Sequence, residues 1–123
     1  TRFVFDAALD GELSGVDALL LGAESLSPDG GLVNTLGSRG AARLAQAHGV
    51  PVLGCAELMK RDRTPGKRLP EPRDFSATLL AGLDADWGID CRQAELEHVP
   101  PGLISLHLTE RGPMGPAMLA SVP

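Results

Sequence analysis

Hydrophobic and polar positions along the chain define short apolar runs separated by helical stretches. Residues 2–5 and 17–21 are short apolar runs, and a helical segment over residues 7–13 lies between them. Residues 36–48 carry apolar side chains at helical spacing and are followed by a third apolar run, residues 51–55. Continuous apolar runs of this length are typical of strands covered on both faces of a parallel sheet. The order strand, helix, strand, helix, strand therefore predicts a doubly wound α/β fold.

Polar and glycine residues mark the ends of these predicted elements. Asp6 stands at the N-cap position of the first helix, and Gly15 and Gly49 are predicted to end the first and second helices. Residues 22–33 are rich in glycine and predict a loop directly after the strand 17–21. Ligands of parallel α/β sheets bind beyond the carboxyl ends of the strands. This loop is therefore a candidate functional region.

The second half of the chain has a weaker periodic pattern. Residues 60–74 combine basic side chains with prolines and predict an exposed loop rather than a regular element. We also predict a short helix over residues 77–83 and an extended segment over residues 94–98. A turn over residues 99–102 opens a short helical piece, a final strand follows over residues 105–109, and a helical turn ends the prediction over residues 116–122.

Composition excludes several classes of function. The 123 residues are 43% hydrophobic, which suits a single domain with a buried core. A net charge of −5 and an aromatic content of 3% argue against nucleic-acid binding. No apolar run approaches the ~20 residues of a membrane span. Cys55 and Cys91 form neither a disulfide framework nor a metal-ligand cluster, so we expect a cytoplasmic protein without a metal or other cofactor.

Three polar residues near the predicted carboxyl edge of the sheet are candidates for a binding site. Glu24 could act as a general acid or base tuned by partial burial, or could be a solvated loop carboxylate or a helix cap. Asn34 opens the long helix, where backbone N–H groups attract anions, but it would also serve as a plain N-cap. Lys60 could attract a phosphate or be an ordinary surface lysine. Because parallel strands end at one edge, we expect the three side chains to converge.

Three ordered stretches carry a more specific signal. They read VFDAALDGELSGVDALLLGAES, DGGLVNTLGSRGAARLAQAHGVPVLGCAELMK and VPPGLISLHLTERG. In this order they resemble the initiation factor 2B alpha/beta/delta family, which also contains methylthioribose-1-phosphate isomerase and ribose-1,5-bisphosphate isomerase. The resemblance implies a Rossmann-like parallel sheet with flanking helices. It also implies that residues 1–123 are a single C-terminal domain, the later part of a larger one, without the family's helical N-terminal domain and first strands.

The resemblance also suggests roles for individual residues. In the isomerases, a Gly-Ala-Asp motif carries a proton-shuttling aspartate, and Glu24 stands at that position. Asn34 matches the first residue of an Asn-Lys pair that contacts the sugar phosphate, whereas Thr35 replaces the lysine. Lys60 matches a later substrate-binding lysine. The family's catalytic cysteine lies upstream of this chain, so Cys55 does not match it and is interpreted as a small core residue.

These substitutions separate three hypotheses. The Gly-Ala-Glu form is similar to the alpha regulatory subunit of initiation factor 2B, and it favours a binding domain that works in a homo- or hetero-oligomer. Its pocket would take a sugar phosphate or nucleotide-like molecule at Glu24, Asn34, Thr35 and Lys60. An alternative is an aldose–ketose isomerase of a phosphorylated pentose, with this chain inactive on its own. A third is a degenerate domain that only dimerises through its apolar surfaces.

Overall fold

A computed structural model describes residues 1–64, 69–82 and 88–122 of the chain. Its strands are β1 (Leu19–Gly22), β2 (Ser25–Leu26), β3 (Leu32–Thr35), β4 (Val52–Cys55), β5 (Arg73–Asp74), β6 (Arg92–Gln93), β7 (Leu96–Val99), β8 (Leu106–Thr109) and β9 (Gly112–Met114). Its α-helices are α1 (Leu9–Glu12), α2 (Ser38–Ala47), α3 (Ser76–Leu79) and α4 (Pro116–Ala120). Short 3-10 helices span Asp6–Ala8, Leu58–Lys60 and Pro101–Leu103.

The central sheet has the strand order β1-β4-β8-β9. The first three strands run parallel, and Leu20, Leu53 and Leu106 lie side by side in their register. The fourth strand, β9, is antiparallel to β8. The predicted α/β fold with a parallel sheet and flanking helices is therefore confirmed. The predicted strand over residues 105–109 corresponds to β8, but β9 follows it, so β8 is not the final strand.

Helix α2 covers one face of the central sheet. Its side chains Ala42 and Ala45 are fully buried, and these small residues let the helix approach the sheet closely. Gly37 precedes the helix with φ 103° and Gly49 follows it with φ 71°, conformations that favour glycine. Gly49 therefore ends α2 as its position in the sequence predicted.

The opposite face of the central sheet is open in the described part of the chain. Leu20 is 63% exposed, and Leu106 and Leu108 are each 39% exposed. Strand side chains alternate between the two faces, so these leucines lie on the face that α2 does not cover. The apolar run 17–21 predicted a strand covered on both faces. That detail is wrong for the residues described, because no described element packs over this face.

The predicted loop over residues 22–33 is instead mostly a β-hairpin. Strands β2 and β3 pair antiparallel, and β3 also pairs with β7 to make a three-stranded sheet. At the tip, the N–H of Ser27 donates to Gly31 O at 3.0 Å, and Gly30 has φ 88°. A Cβ on Gly30 would lie 2.2 Å from Pro116 O. The glycines thus allow a tight turn and close packing, whereas their abundance in the sequence predicted an open loop.

The N-terminal segment also departs from the prediction. Residues 2–5 form no strand, and Phe3 and Phe5 are 91% and 79% exposed. Asp6 is not the N-cap, since it begins the 3-10 helix itself and Phe5 occupies the cap position. An apolar run favours an extended backbone, but it cannot specify which strand it would pair with.

The remaining predictions agree with the structure in part. The helix over residues 77–83 is observed as α3, and residue 83 lies outside the described residues. The segment 60–74 holds more order than predicted, because Arg61 bridges to Leu26 and β5 pairs with β6, whereas residues 65–68 are not described. The predicted extended segment, turn and terminal helix correspond to β7, the 3-10 helix Pro101–Leu103 and α4.

The core lies between α2, the central sheet and the hairpin. Three side chains from the hairpin sheet, Leu26, Leu32 and Val99, are fully buried, and each such side chain contributes about 1.5–3 kcal/mol. This packing fixes the hairpin against the carboxyl end of β1. In the described ranges, no helix has the length and apolar character needed to cross a bilayer.

Candidate functional site

The candidate site lies where β1 ends and the hairpin begins. Glu24 is the second residue after β1, and its backbone N–H donates to Val33 O at 2.8 Å. The ammonium group of Lys60 donates to Ala23 O at 2.8 Å. The structure therefore places Lys60 against the backbone next to Glu24, while Asn34 follows Val33 on the neighbouring strand β3. The three residues are thus neighbours along the backbone, whereas the expected convergence of their side chains stays a prediction.

Lys60 reaches this position because the segment that carries it is held on two sides. The segment follows β4, and the carboxylate of Glu110 accepts a hydrogen bond from the Leu58 N–H at 2.9 Å. On the other side, Asp62 N–H donates to Leu26 O at 2.8 Å. Arg61 Nη2 also donates to Ala120 O at 3.0 Å. A lysine in such a segment is directed to one place, unlike a lysine in a free surface loop.

Glu24 is exposed, so the partial burial expected from its position in the sequence is not observed. Its carboxylate makes no hydrogen bond or ion pair with any residue that the structure describes, which also leaves the helix-cap interpretation without support. The geometry suits a carboxylate that contacts a ligand at the solvent-facing edge.

Asn34 does not cap α2, in contrast to one interpretation of the sequence. It lies within β3, and its Nδ2 donates to Ser38 Oγ at 3.0 Å. The Ser38 hydroxyl in turn donates to Thr35 O at 2.8 Å. The N-cap position belongs to Gly37, which has no side chain to satisfy the first helical N–H groups.

A buried carboxylate from another strand satisfies those N–H groups. Glu97 Oε1 accepts hydrogen bonds from Gly37 N–H at 2.7 Å and from Arg39 N–H at 2.9 Å. Its second oxygen, Oε2, lies 3.3 Å from Arg39 Nε. The anion position expected at the start of the helix is therefore occupied by the protein's own carboxylate. A phosphate at this place would have to compete with Glu97.

Thr35 lies on the other side of this turn. It is exposed at the end of β3 and borders a cleft of about 330 Å³. The start of α2 forms one wall of this cleft, and the N-terminal residues Asp6 and Leu9 form another. Thr35 thus opens toward the helix side, while Lys60 meets the hairpin at Ala23. The role suggested for Thr35 in ligand binding stays a prediction.

His107 supports the hairpin tip from beneath. It is fully buried in β8, and its Nε2 lies 2.9 Å from Gly30 O. Burial lowers the pKa of the imidazole, and the hydrogen bond to Gly30 opposes this effect only in part. A neutral ring with its proton on Nε2 fits this arrangement.

Three residues shape the site although the sequence did not predict a role for them, namely Glu97, Ser38 and Glu110. The alternation over residues 95–99 carries a usable signal, because Val99 faces the core and Glu97 shares its face. Glu110 had no local signal, since its contact with Leu58 depends on the parallel pairing of β4 and β8. Cys55 is half-buried in β4, so it is a partly exposed strand residue rather than a core residue.

No metal site is evident among residues 1–64, 69–82 and 88–122, where no group of three or more His, Cys, Asp or Glu side chains could hold an ion. The predicted residues Lys60, Glu24 and Asn34 offer an ammonium group, an exposed carboxylate and an amide beside backbone groups. Such a set can bind a polar molecule that carries an anionic group.

Comparison with known proteins gives a consistent result. Methylthioribose-1-phosphate isomerase of Syntrophotalea carbinolica is 34% identical over 102 residues, which is 79% of this chain and 30% of the relative. Translation initiation factor eIF2B subunit alpha of Caenorhabditis elegans is 29% identical over 117 residues, covering 94% of this chain and 38% of the relative. The crystal structure of 5-methylthioribose 1-phosphate isomerase from Pyrococcus horikoshii superposes with a TM-score of 0.80 at 25% identity, over 96% of this chain and 35% of that chain.

These matches fix the family but leave its two functional branches unresolved for this chain. The chain spans about a third of the length of these relatives. Regulatory and isomerase proteins both appear among them. The sequence profile of one family covers residues 1–116 and confirms the resemblance seen in the motifs. The chain belongs to the Initiation factor 2 subunit family.

Proposed function

We propose that this chain is a binding domain of the regulatory type, with a pocket for a sugar phosphate or nucleotide-like molecule, and that it works within a homo- or hetero-oligomer. The observation that carries the proposal is the ammonium group of Lys60, held 2.8 Å from Ala23 O beside Glu24. A fixed cation at the carboxyl edge of a parallel sheet is suited to an anionic ligand. The relative from C. elegans named eIF2B subunit alpha supports the regulatory branch.

The exposure of Glu24 favours binding over catalysis. General acid–base catalysis needs a side chain that is positioned against the reacting proton, and a hydrogen-bond or ion-pair partner usually provides that positioning. Glu24 is exposed, and its carboxylate has no such partner among the residues that the structure describes. The hydrogen bond to Ser38 already holds the amide of Asn34 in one orientation, so this side chain can contact a ligand without changing its conformation. We therefore assign these residues to ligand contact.

The first test is calorimetric titration with sugar phosphates. The full chain is titrated with ribose 1-phosphate, ribose 1,5-bisphosphate, methylthioribose 1-phosphate and adenosine monophosphate. Lys60→Met keeps the length of the side chain and removes its charge, so the affinity for the ligand that binds should fall about tenfold. Arg43→Met on the exposed face of α2 removes the same charge elsewhere and should leave the affinity unchanged.

Two results would contradict the proposal. One is the absence of heat with every sugar phosphate and nucleotide tested on folded protein. The other is an equal loss of affinity in Lys60→Met and Arg43→Met, because it would show a general charge effect rather than a site at Lys60.

A second candidate is the aldose–ketose isomerase reaction, which the 34% identity to methylthioribose-1-phosphate isomerase favours. In that reaction Glu24 would carry the proton between adjacent carbons of the sugar. Because this chain is expected to be inactive on its own, the assay combines it with a partner chain that supplies the catalytic cysteine. Glu24→Gln should then abolish formation of the ketose, followed by the carbon signals of the sugar in NMR spectra. Glu71→Gln, at another exposed position, should leave the rate unchanged. An active Glu24→Gln variant would exclude this role for Glu24.

A further inference from the structure

Glu97 has an environment that the proposed ligand site does not explain. The residue is only 8% exposed, although it carries a carboxylate. Oε1 accepts from the N–H groups of Gly37 and Arg39 at 2.7 and 2.9 Å, and Oε2 lies 3.3 Å from Arg39 Nε. A buried carboxylate is tolerated when charged and N–H partners surround it, as they do here. Its bonds are made to a helix that begins almost 60 residues earlier in the chain.

We infer that Glu97 is a positioning and specificity-determining residue, a built-in anion that orders the turn from Asn34 to Arg39 and closes the start of α2 to the anionic group of a bound molecule. The inference deepens the proposed function and rests on it for the identity of the ligand. It assigns the anionic group of that ligand to Lys60, the cation beside the β2 edge of the hairpin sheet, with β3 between it and Glu97.

The positioning role follows from the register of β3 and β7. Asn34 is paired with Glu97, and Thr35 with Leu96. Glu97 thus lies beside the strand that carries the site residues and also holds the helix that follows them. Ser38 completes the link, because its hydroxyl joins the Asn34 amide at 3.0 Å to Thr35 O at 2.8 Å. Without the carboxylate, both sides of this turn lose a shared anchor.

The specificity role follows from the donors that Glu97 occupies. The first N–H groups of an α-helix attract anions because they are unpaired and lie at the positive end of the helix dipole. Here Gly37 and Arg39 already donate to a carboxylate, and its negative charge repels a second anion. A phosphate therefore gains nothing at this helix start in the native protein. We expect the edge to hold one anionic group, so a sugar monophosphate should bind as well as a bisphosphate.

The test removes the Glu97 carboxylate from the start of α2 and offers a free anion in its place. In Glu97→Ala, the amide NMR signals of Gly37 and Arg39 should shift saturably on titration with sodium acetate or inorganic phosphate, and the melting temperature should recover in part. Sodium chloride at equal ionic strength should not reproduce either effect. In the native chain the same two amide signals should not respond to acetate or phosphate. Glu95→Ala removes the exposed neighbour that pairs with Arg73 and should show no rescue.

A second variant keeps the inference falsifiable if Glu97→Ala does not fold. Glu97→Gln keeps an acceptor oxygen and the side-chain volume but removes the charge. The amide protons of Gly37 and Arg39 should then exchange with solvent about tenfold faster, because their bonds are no longer charge-assisted. Acetate should not rescue this variant, since the position is filled. Unchanged exchange at both amides would overturn the inference.

The outcomes separate this inference from the proposed function. Saturable shifts of Gly37 and Arg39 with phosphate in the native chain would show that the helix start is open, and would overturn the inference even if sugar phosphates bind at Lys60. The absence of binding heat when the native chain is titrated with every sugar phosphate would overturn the proposed function. The acetate experiment on Glu97→Ala needs no sugar phosphate, so it would still decide whether Glu97 is a built-in anion.

Discussion

At the scale of single residues, His107 shows how a buried titratable group is built into the fold. The side chain is fully buried, and its Nε2 holds Gly30 O at the hairpin tip at 2.9 Å. In the described part of the chain its Nδ1 has no hydrogen-bond partner. Gly54 leaves room for this nitrogen, because a Cβ at that position would lie 2.7 Å from Nδ1. The neutral ring is the form that this space accepts, which agrees with a pKa lowered by burial.

Acid should therefore destabilise the protein through His107. Its pKa is lowered on folding, so the unfolded chain takes up the proton first as the pH falls below about 6.5. The free energy of unfolding should rise with pH between the lowered folded pKa and the unfolded pKa, by at most about 1.4 kcal/mol per pH unit. In His107→Gln, urea unfolding at several pH values should show a smaller slope over this window.

A matched control is His48→Gln, since His48 is an exposed-surface residue that pairs with Asp10 at 2.8 Å. The free energy of unfolding of His48→Gln should depend on pH as steeply as that of the native chain. If His107→Gln has the same pH dependence as the native chain, burial of His107 is not the cause of the acid sensitivity.

At the scale of elements, the hairpin explains why some of the fold was predictable and some was not. β1, α2 and β4 follow from local apolar patterns, because each carries enough apolar side chains to bury one of its faces in the core. The glycine-rich sequence of the hairpin predicts a loop, because Gly30 and Gly31 pack closely against residues that are distant in the sequence. The same holds for the site. Lys60 and Glu24 were placed near each other by the rule for parallel sheets, whereas Glu97 depends on a register that the sequence does not display.

The hairpin tip should be intolerant of side chains at Gly30. Gly30 has φ 88°, and a Cβ there would lie 2.2 Å from the backbone oxygen of Pro116, which cannot move like a flexible side chain. Gly15 has a similar φ of 83° but nothing within 4 Å of the added carbon. Gly15→Ala should cost about 1 kcal/mol for backbone strain alone. Gly30→Ala should cost several kcal/mol in total, because the steric conflict adds to the strain.

Chemical denaturation of both variants measures the two costs. The difference between them isolates the contact between the hairpin tip and α4. Equal costs for the two substitutions would mean that the tip moves away from Pro116 at no expense.

At the scale of the whole molecule, the open face of the central sheet bears on assembly. Leu20, Leu106 and Leu108 lie on this face at 63%, 39% and 39% exposure. Neighbouring apolar side chains on one sheet face favour association with another surface. Among residues 1–64, 69–82 and 88–122, β1 is also an edge strand of the sheet, and edge strands present backbone groups for pairing. These features support the oligomeric part of the proposed function.

A charge on this face should reduce self-association. Leu20→Glu places a carboxylate on the open face, and light scattering after size-exclusion chromatography should show a mass reduced to that of the monomer. Leu79→Glu is the matched control, because Leu79 on α3 is 60% exposed and receives the same charge. A native chain that is monomeric at working concentration, or a Leu20→Glu variant of unchanged mass, would count against assembly through this face.

The two carboxylates that anchor the site have a consequence for the order of folding. Glu24, Asn34 and Lys60 all lie in the first half of the chain, yet the residues that hold their segments, Glu97 and Glu110, are in its last third. The residues proposed to contact the ligand thus leave the ribosome before either anchor. The hairpin can form early from local contacts, but the parallel pairing with β8 closes a long loop and is slow. We therefore expect the site to form last. A nascent chain that ends before Glu97 contains Glu24, Asn34 and Lys60 but does not hold them in their native arrangement.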